Sequence, residues 1–165
     1  MLEKDFHQVE KLVYKKCSLK YSLPKAEEEG IEYGAGTFQL ENKLIKVRSS
    51  KITPKKVGQF VTLWIRNSKG ITQPHNISDA TEIFTINSRK DDLFGQFIFP
   101  IEVLEKHGII ASERSKGKRG FRVYPPWDKA VNAQAMKTQS WQLGFFLIVD
   151  ENTDLNHAKR LYHVD

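Results

Sequence analysis

The chain has 165 residues, 39% of them hydrophobic and 28% charged, the balance of a folded globular domain and not of a disordered, collagenous or fibrous one. At this length folding should bury about 70% of the surface that the unfolded chain exposes, so neither a metal nor a disulfide is needed to hold the domain together. Lysine and arginine number 26 against 20 acids, a formal charge of +6 that favours an anionic partner.

Residues 2–17 read as an amphipathic helix, with Leu2, Phe6, Val9, Val13 and Cys17 on one stripe. It stops before Pro24, and Glu27 to Gly30 follow as an acidic exposed loop. The period then changes: Phe38 and Leu40, then Ile45 and Val47, alternate with polar residues around a hairpin turn at Glu41 and Asn42. A loop over residues 49–58 leads into an apolar run, residues 59–65, expected to be one buried strand. A polar connection at 67–79 precedes strands at 82–86 and 96–99, joined across Asp91 and Asp92.

Pro100 suits the first turn of a helix that Gly108 caps in the left-handed conformation. A short strand around residues 121–124 ends at Pro125 and Pro126, and Asp128 is the expected N-cap of a helix running to about Gln142, closed by Gly144. The continuous apolar run 145–149 has the character of a central strand covered on both faces. A last helix at about 152–162, capped by Asn152 or Thr153, holds Leu155, Ala158 and Tyr162. The expectation is one α/β or α+β domain over residues 1–165, with a core at about 5–150 and a mixed sheet flanked by helices.

No apolar run approaches the roughly 20 residues of a membrane span, so no membrane partner is expected. Cys17 has no second cysteine to pair with, and the charged N-terminal segment lacks a signal-peptide pattern; both favour a cytoplasmic setting.

The charge is unevenly placed. Between Asn42 and Ser78 there is no acid, while Lys43, Lys46, Arg48, Lys51, Lys55, Lys56, Arg66 and Lys69 are positive. A second cluster, Arg114, Lys116, Lys118, Arg119 and Arg122, faces only Glu113 locally. Two such clusters have the form of an electrostatic footprint for phosphates, against the plain alternative of solvated strand faces and loops. Aromatic residues interleave with both: Phe60 and Trp64, then Phe121, Tyr124 and Trp127, of which Tyr124 and Trp127, beside two prolines, are the candidates for exposed stacking on unpaired bases.

Four segments, RSSKITPKKVGQFVTLW (48–64), GQFIFPIEVLEKHGI (95–109), GKRGFRVYPPWD (117–128) and TQSWQLGFF (138–146), together resemble the MepB family of bacterial proteins. The resemblance spans about residues 5–150. The family has no assigned biochemical activity; what the resemblance implies is a fold related to the restriction-endonuclease-like α/β architecture, which by itself carries no activity.

A nuclease of that architecture needs an upstream acid and a strand bearing Asp or Glu, one residue, then Lys, to hold Mg²⁺ and stabilise the attacking water or the phosphate. One such tripeptide occurs, Glu41-Asn42-Lys43, with Glu32 as the upstream candidate. With 20 acids and 19 lysines in the chain, chance alone gives ~2 matches, and this one falls at an expected turn. The five histidines, at positions 7, 75, 107, 157 and 163, show no zinc spacing, and no glycine-rich phosphate loop follows a strand. No cofactor is therefore expected, Mg²⁺ excepted should the nuclease alternative hold.

The leading expectation is binding of DNA or RNA through Lys46, Arg48, Lys51, Lys55 and Lys56 in one cluster and Lys118, Arg119 and Arg122 in the other, with Tyr124 and Trp127 as stacking residues. The alternatives are a nuclease using Glu32, Glu41 and Lys43, and a non-catalytic accessory whose basic face meets an acidic protein.

Overall fold

The apolar stripe that opens the chain is buried. In the computed structural model, which describes residues 1–165, helix α1 (Leu2–Val9) runs on into a π-helical turn, Glu10–Tyr14. Phe6, Val9, Val13 and Cys17 are all buried, and Leu2 packs at the margin of the same cluster. A short β1 (Lys25–Ala26) and a single 3-10 turn (Ile31–Tyr33) precede the hairpin of β2 (Gly36–Leu40) and β3 (Lys43–Ser49). Glu41 enters the left-handed region, with φ of +54°, to close that hairpin.

The next segments depart from the expected order. The loop at 49–58 contains a short strand, β4 (Lys51–Ile52), and the run at 59–65 is two strands, β5 (Gln59–Thr62) and β6 (Trp64–Arg66). The chain changes partner at Leu63: β5 pairs with β4 and with a later strand, whereas β6 pairs with β7 (Thr72–Pro74) inside the supposed polar connection. Hydropathy reports burial and not pairing partner, so the break leaves no mark in the apolar pattern.

The long hairpin β8 (Ile83–Lys90) and β9 (Leu93–Pro100) follows, then α2 (Ile101–Lys106). Gly108 takes a φ of +77° just past the helix, as a left-handed cap requires. After β10 (Gly120–Val123) comes α3 (Ala133–Gln142), which starts four residues later than expected. Asn132, not Asp128, caps it, its Oδ1 accepting the Ala135 N–H at 2.8 Å. Asp128 instead closes a turn onto the Pro125 carbonyl. Beyond α3 a 3-10 turn (Leu143–Phe145) replaces the closure expected of Gly144. The chain ends with β11 (Phe146–Ile148) and α4 (Leu155–Leu161), the latter capped by Asp154 and not by Asn152 or Thr153.

Six strands form the main sheet in the order β1-β2-β3-β8-β9-β11, with β3 and β8 parallel and every other pair antiparallel. The fold is thus a mixed α+β domain. β11 lies at the edge of the sheet, not at its centre. Its run is apolar because Phe146 and Leu147 face opposite layers, and Ile148 is exposed. Close packing on β9 requires Gly95, where an added Cβ would meet the Phe146 ring and the Leu147 carbonyl.

Both faces of the sheet are covered. On one face α1, the π-helical turn and α4 pack over Phe38, Ile45, Val47 and Ile98. A buried chain of hydrogen bonds crosses this layer, from the Tyr14 hydroxyl to that of Tyr162, on to Gln96 Oε1, and from Gln96 Nε2 to Asn87 Oδ1. On the other face Phe84, Ile86, Phe97 and Phe99 meet Val61 and Leu63 from the β5–β6 segment, Phe121 and Val123 from β10, and Leu104 from α2. The small sheet β4-β5-β10 on this side carries the basic segments.

Candidate functional site

Two residues of the first basic cluster are neutralised in space by an acid that is distant in sequence. Lys46 and Arg48 sit on β3 facing the Glu27 carboxylate, which accepts from Lys46 Nζ at 2.7 Å and from Arg48 Nη1 at 3.2 Å. The Arg48 side chain is 1% exposed, so it contacts no ligand surface, a correction to its expected role. Burial alone raises the Glu27 carboxyl, but the Lys46 hydrogen bond and the Arg48 and Lys46 charges outweigh it and hold the group below its ordinary value. Lys51 lies over the Tyr33 ring, 4.6 Å from its centroid.

The nuclease candidates do not meet. Glu41 closes the hairpin at one end of β2, and Glu32 lies in the 3-10 turn before the other end. Lys43 donates to the His163 carbonyl at 3.1 Å near the C-terminus. Nowhere do three or more His, Cys, Asp or Glu side chains gather in a way that could hold a metal ion.

Lys55 and Lys56 of the first cluster do meet the second. Arg122 on β10 donates to the Val57 carbonyl at 3.2 Å and to Thr53 Oγ1, tying down the loop that carries Lys55 and Lys56. On the other side of β10, Gln142 in α3 donates to the Arg122 carbonyl at 2.9 Å and accepts the Tyr124 N–H at 2.8 Å. Gln139 donates to the carbonyls of Tyr124, Pro125 and Asp128. One short strand therefore positions two walls, a basic loop and a helix.

Between these walls is a cleft of about 800 Å³. Lys55, Lys56, Lys118, Arg122 and Lys137 line it, and no carboxylate does. Five cations within one concave surface focus a positive potential that the net charge alone does not convey. The first turn of α3 carries no acid either, so its free amide groups add to the field. Tyr124 lines the cleft, half-buried, with its ring packed over Gly58. The floor is completed by His107 and Trp141, whose rings stack with centroids 3.8 Å apart and planes 4° from parallel.

Arg119 stands outside the cleft, bonded to the Thr72 carbonyl and hydroxyl beside the β6–β7 hairpin. Trp127 is half-buried and packs edge-on against Phe146, so its ring is part of the core contact and not a stacking surface. The cleft residues absent from the expected set include His107, Lys137 and Trp141. The last two were findable, because Gln134, Lys137, Thr138 and Trp141 follow the i, i+3, i+4, i+7 spacing of a single helix face.

Fold and cleft together define a mixed α+β domain with an acid-free basic cleft on its smaller sheet. Residues 27–148 match the MepB-like family, and the chain belongs to it. The crystal structure of MepB is similar over 79% of this chain and 87% of that one, with 34% identity and a TM-score of 0.76. A bacterial homing endonuclease aligns over 86% of each chain at 13% identity and a TM-score of 0.45. No curated protein is detectably similar. No helix is long and apolar enough to cross a membrane.

Proposed function

We propose that this protein binds nucleic acid through the phosphate backbone, in a cytoplasmic setting and with no cofactor required, at the cleft between the 53–57 loop, β10 and α3. The observation that carries this reading is the convergence of Lys55, Lys56, Lys118, Arg122 and Lys137, from three separate stretches of chain, on one cleft without a carboxylate. Like charges brought together repel unless a counter-ion is supplied, and no side chain of the cleft supplies it. A polyanion does so with release of its own condensed cations, which makes binding steeply salt-dependent. A basic surface made for a small phosphorylated ligand would show a shallow dependence instead.

Fluorescence anisotropy of a labelled oligonucleotide, titrated with protein from about 50 to about 200 mM salt, tests the reading. The expected result is a loss of affinity of about two orders of magnitude or more, corresponding to four or five phosphate contacts. A flat response, or no binding at the lowest salt, would remove nucleic acid as the partner and leave a small phosphorylated ligand or an acidic protein surface as the remaining fits.

A further inference from the structure

The floor of the cleft is an aromatic platform that phosphate contacts alone do not explain. His107 lies flat on Trp141, 3.8 Å from centroid to centroid and 4° from parallel. Trp141 covers one face of the imidazole, while His107 itself is exposed. Phe99 packs against Trp141 from the core at 5.5 Å, fixing the indole in place. The stack therefore ends in an open ring face on a rigid base, with Lys137 one helical turn before Trp141 on the same face of α3. Gln134 and Thr138, on that same face, bring an amide and a hydroxyl to the cleft.

We infer that the cleft is specific for single strands, with one unpaired base stacking on the outer face of His107 while the surrounding lysines hold the flanking phosphates. This inference rests on the nucleic-acid reading above and narrows it. A base has an open π-face only when it is unstacked, and a volume of about 800 Å³ is the size of a pocket that encloses a small organic group. A paired base keeps both faces inside the duplex and cannot reach the platform. Stacking is indifferent to base identity, so the preference is for strandedness and not for sequence.

The test compares a labelled thymidine oligonucleotide of about 12 nucleotides with a duplex of the same length, for the parent and for His107→Ala and His107→Phe, each checked for an unchanged thermal melt. Burial and the charges of Lys106 and Lys137 hold the imidazole below its ordinary value, which disfavours the charged ring, so its removal is expected to leave the salt dependence alone. The expected result is tighter binding of the single strand, a loss on the order of 5- to 100-fold in His107→Ala at unchanged salt slope, and recovery in His107→Phe. Equal affinity for single strand and duplex, or full affinity in His107→Ala, overturns the inference while leaving the broader reading standing. Absence of binding to both probes overturns the two together.

Discussion

Replacing Glu27 with glutamine is expected to destabilise the fold by about 3 kcal/mol, a fall in Tm of roughly 6–12 °C for a chain of this length. Arg48 is almost wholly buried, its Nη1 is bonded to Glu27 and to the Val47 carbonyl, and its Nε has no partner. Glu27 is thus the one carboxylate paired with a buried cation, and Lys46 shares it. Removing one partner of such a pair leaves a charge uncompensated in a medium that solvates it poorly. Converting Arg48 to methionine in the Glu27→Gln background should restore part of the loss, because the apolar chain removes the unpaired charge. Denaturant unfolding of the two single variants and the double variant measures this directly, and a change below about 0.5 kcal/mol in Glu27→Gln would contradict it.

The same pair sets a pH dependence. The folded Glu27 carboxyl titrates below its ordinary value of 4.5, so its contribution is complete above that value and fades as pH falls through the folded one. The stability gap between parent and Glu27→Gln should accordingly be constant near neutrality and narrow as pH falls below the ordinary value of 4.5.

The second large effect concerns affinity. Changing Lys55, Lys56 and Lys137 together to alanine is expected to weaken oligonucleotide binding on the order of 10- to 100-fold near 0.1 M salt. It should also flatten the plot of log affinity against log salt by about 2–3 units, at roughly 0.7–0.9 for each lost phosphate contact. All three side chains are exposed and none is engaged in an ion pair, so the fold should tolerate the change. Lys46→Ala is the informative contrast. It belongs to the same acid-free stretch of sequence, yet its ammonium is held by Glu27 at 2.7 Å. It should leave the salt slope where it was. A flattened slope in Lys46→Ala, with none in the triple variant, would place the contact surface on β3 and not at the cleft.

These contrasts show what could be read in advance. The β2–β3 hairpin was legible because alternation on both sides of Glu41 and Asn42 fixes register locally. The helix at α2 was legible because Pro100 and Gly108 bracket it. The division of residues 59–65 at Leu63 was not, since pairing with β10 and β7 depends on segments far along the chain. The start of α3 was misplaced because Asp128 and Asn132 are both competent caps, and the hydrogen bonds of Gln139 to the 124–128 segment and of Gln142 to β10 accompany the choice of Asn132.

The site divides in the same way. Lys55, Lys56, Lys118 and Arg122 were recognisable as charge clusters, but the withdrawal of Arg48 and Lys46 required Glu27 to fold back across about twenty residues. The helical wall was overlooked because α3 is only weakly charged, with Lys137 its one cation. Its contribution comes from one helix face aligned by β10, which is a property of the fold.

The most direct measurement of the central claim is the set of backbone amide chemical shifts of the protein, followed while a short oligonucleotide is added at low salt. Shifts concentrated at residues 55–57, 107, 118–124 and 132–141, with residues 46–48 unmoved, are the predicted result. Shifts centred on β3 or on the α1–α4 face, with the cleft silent, would contradict it.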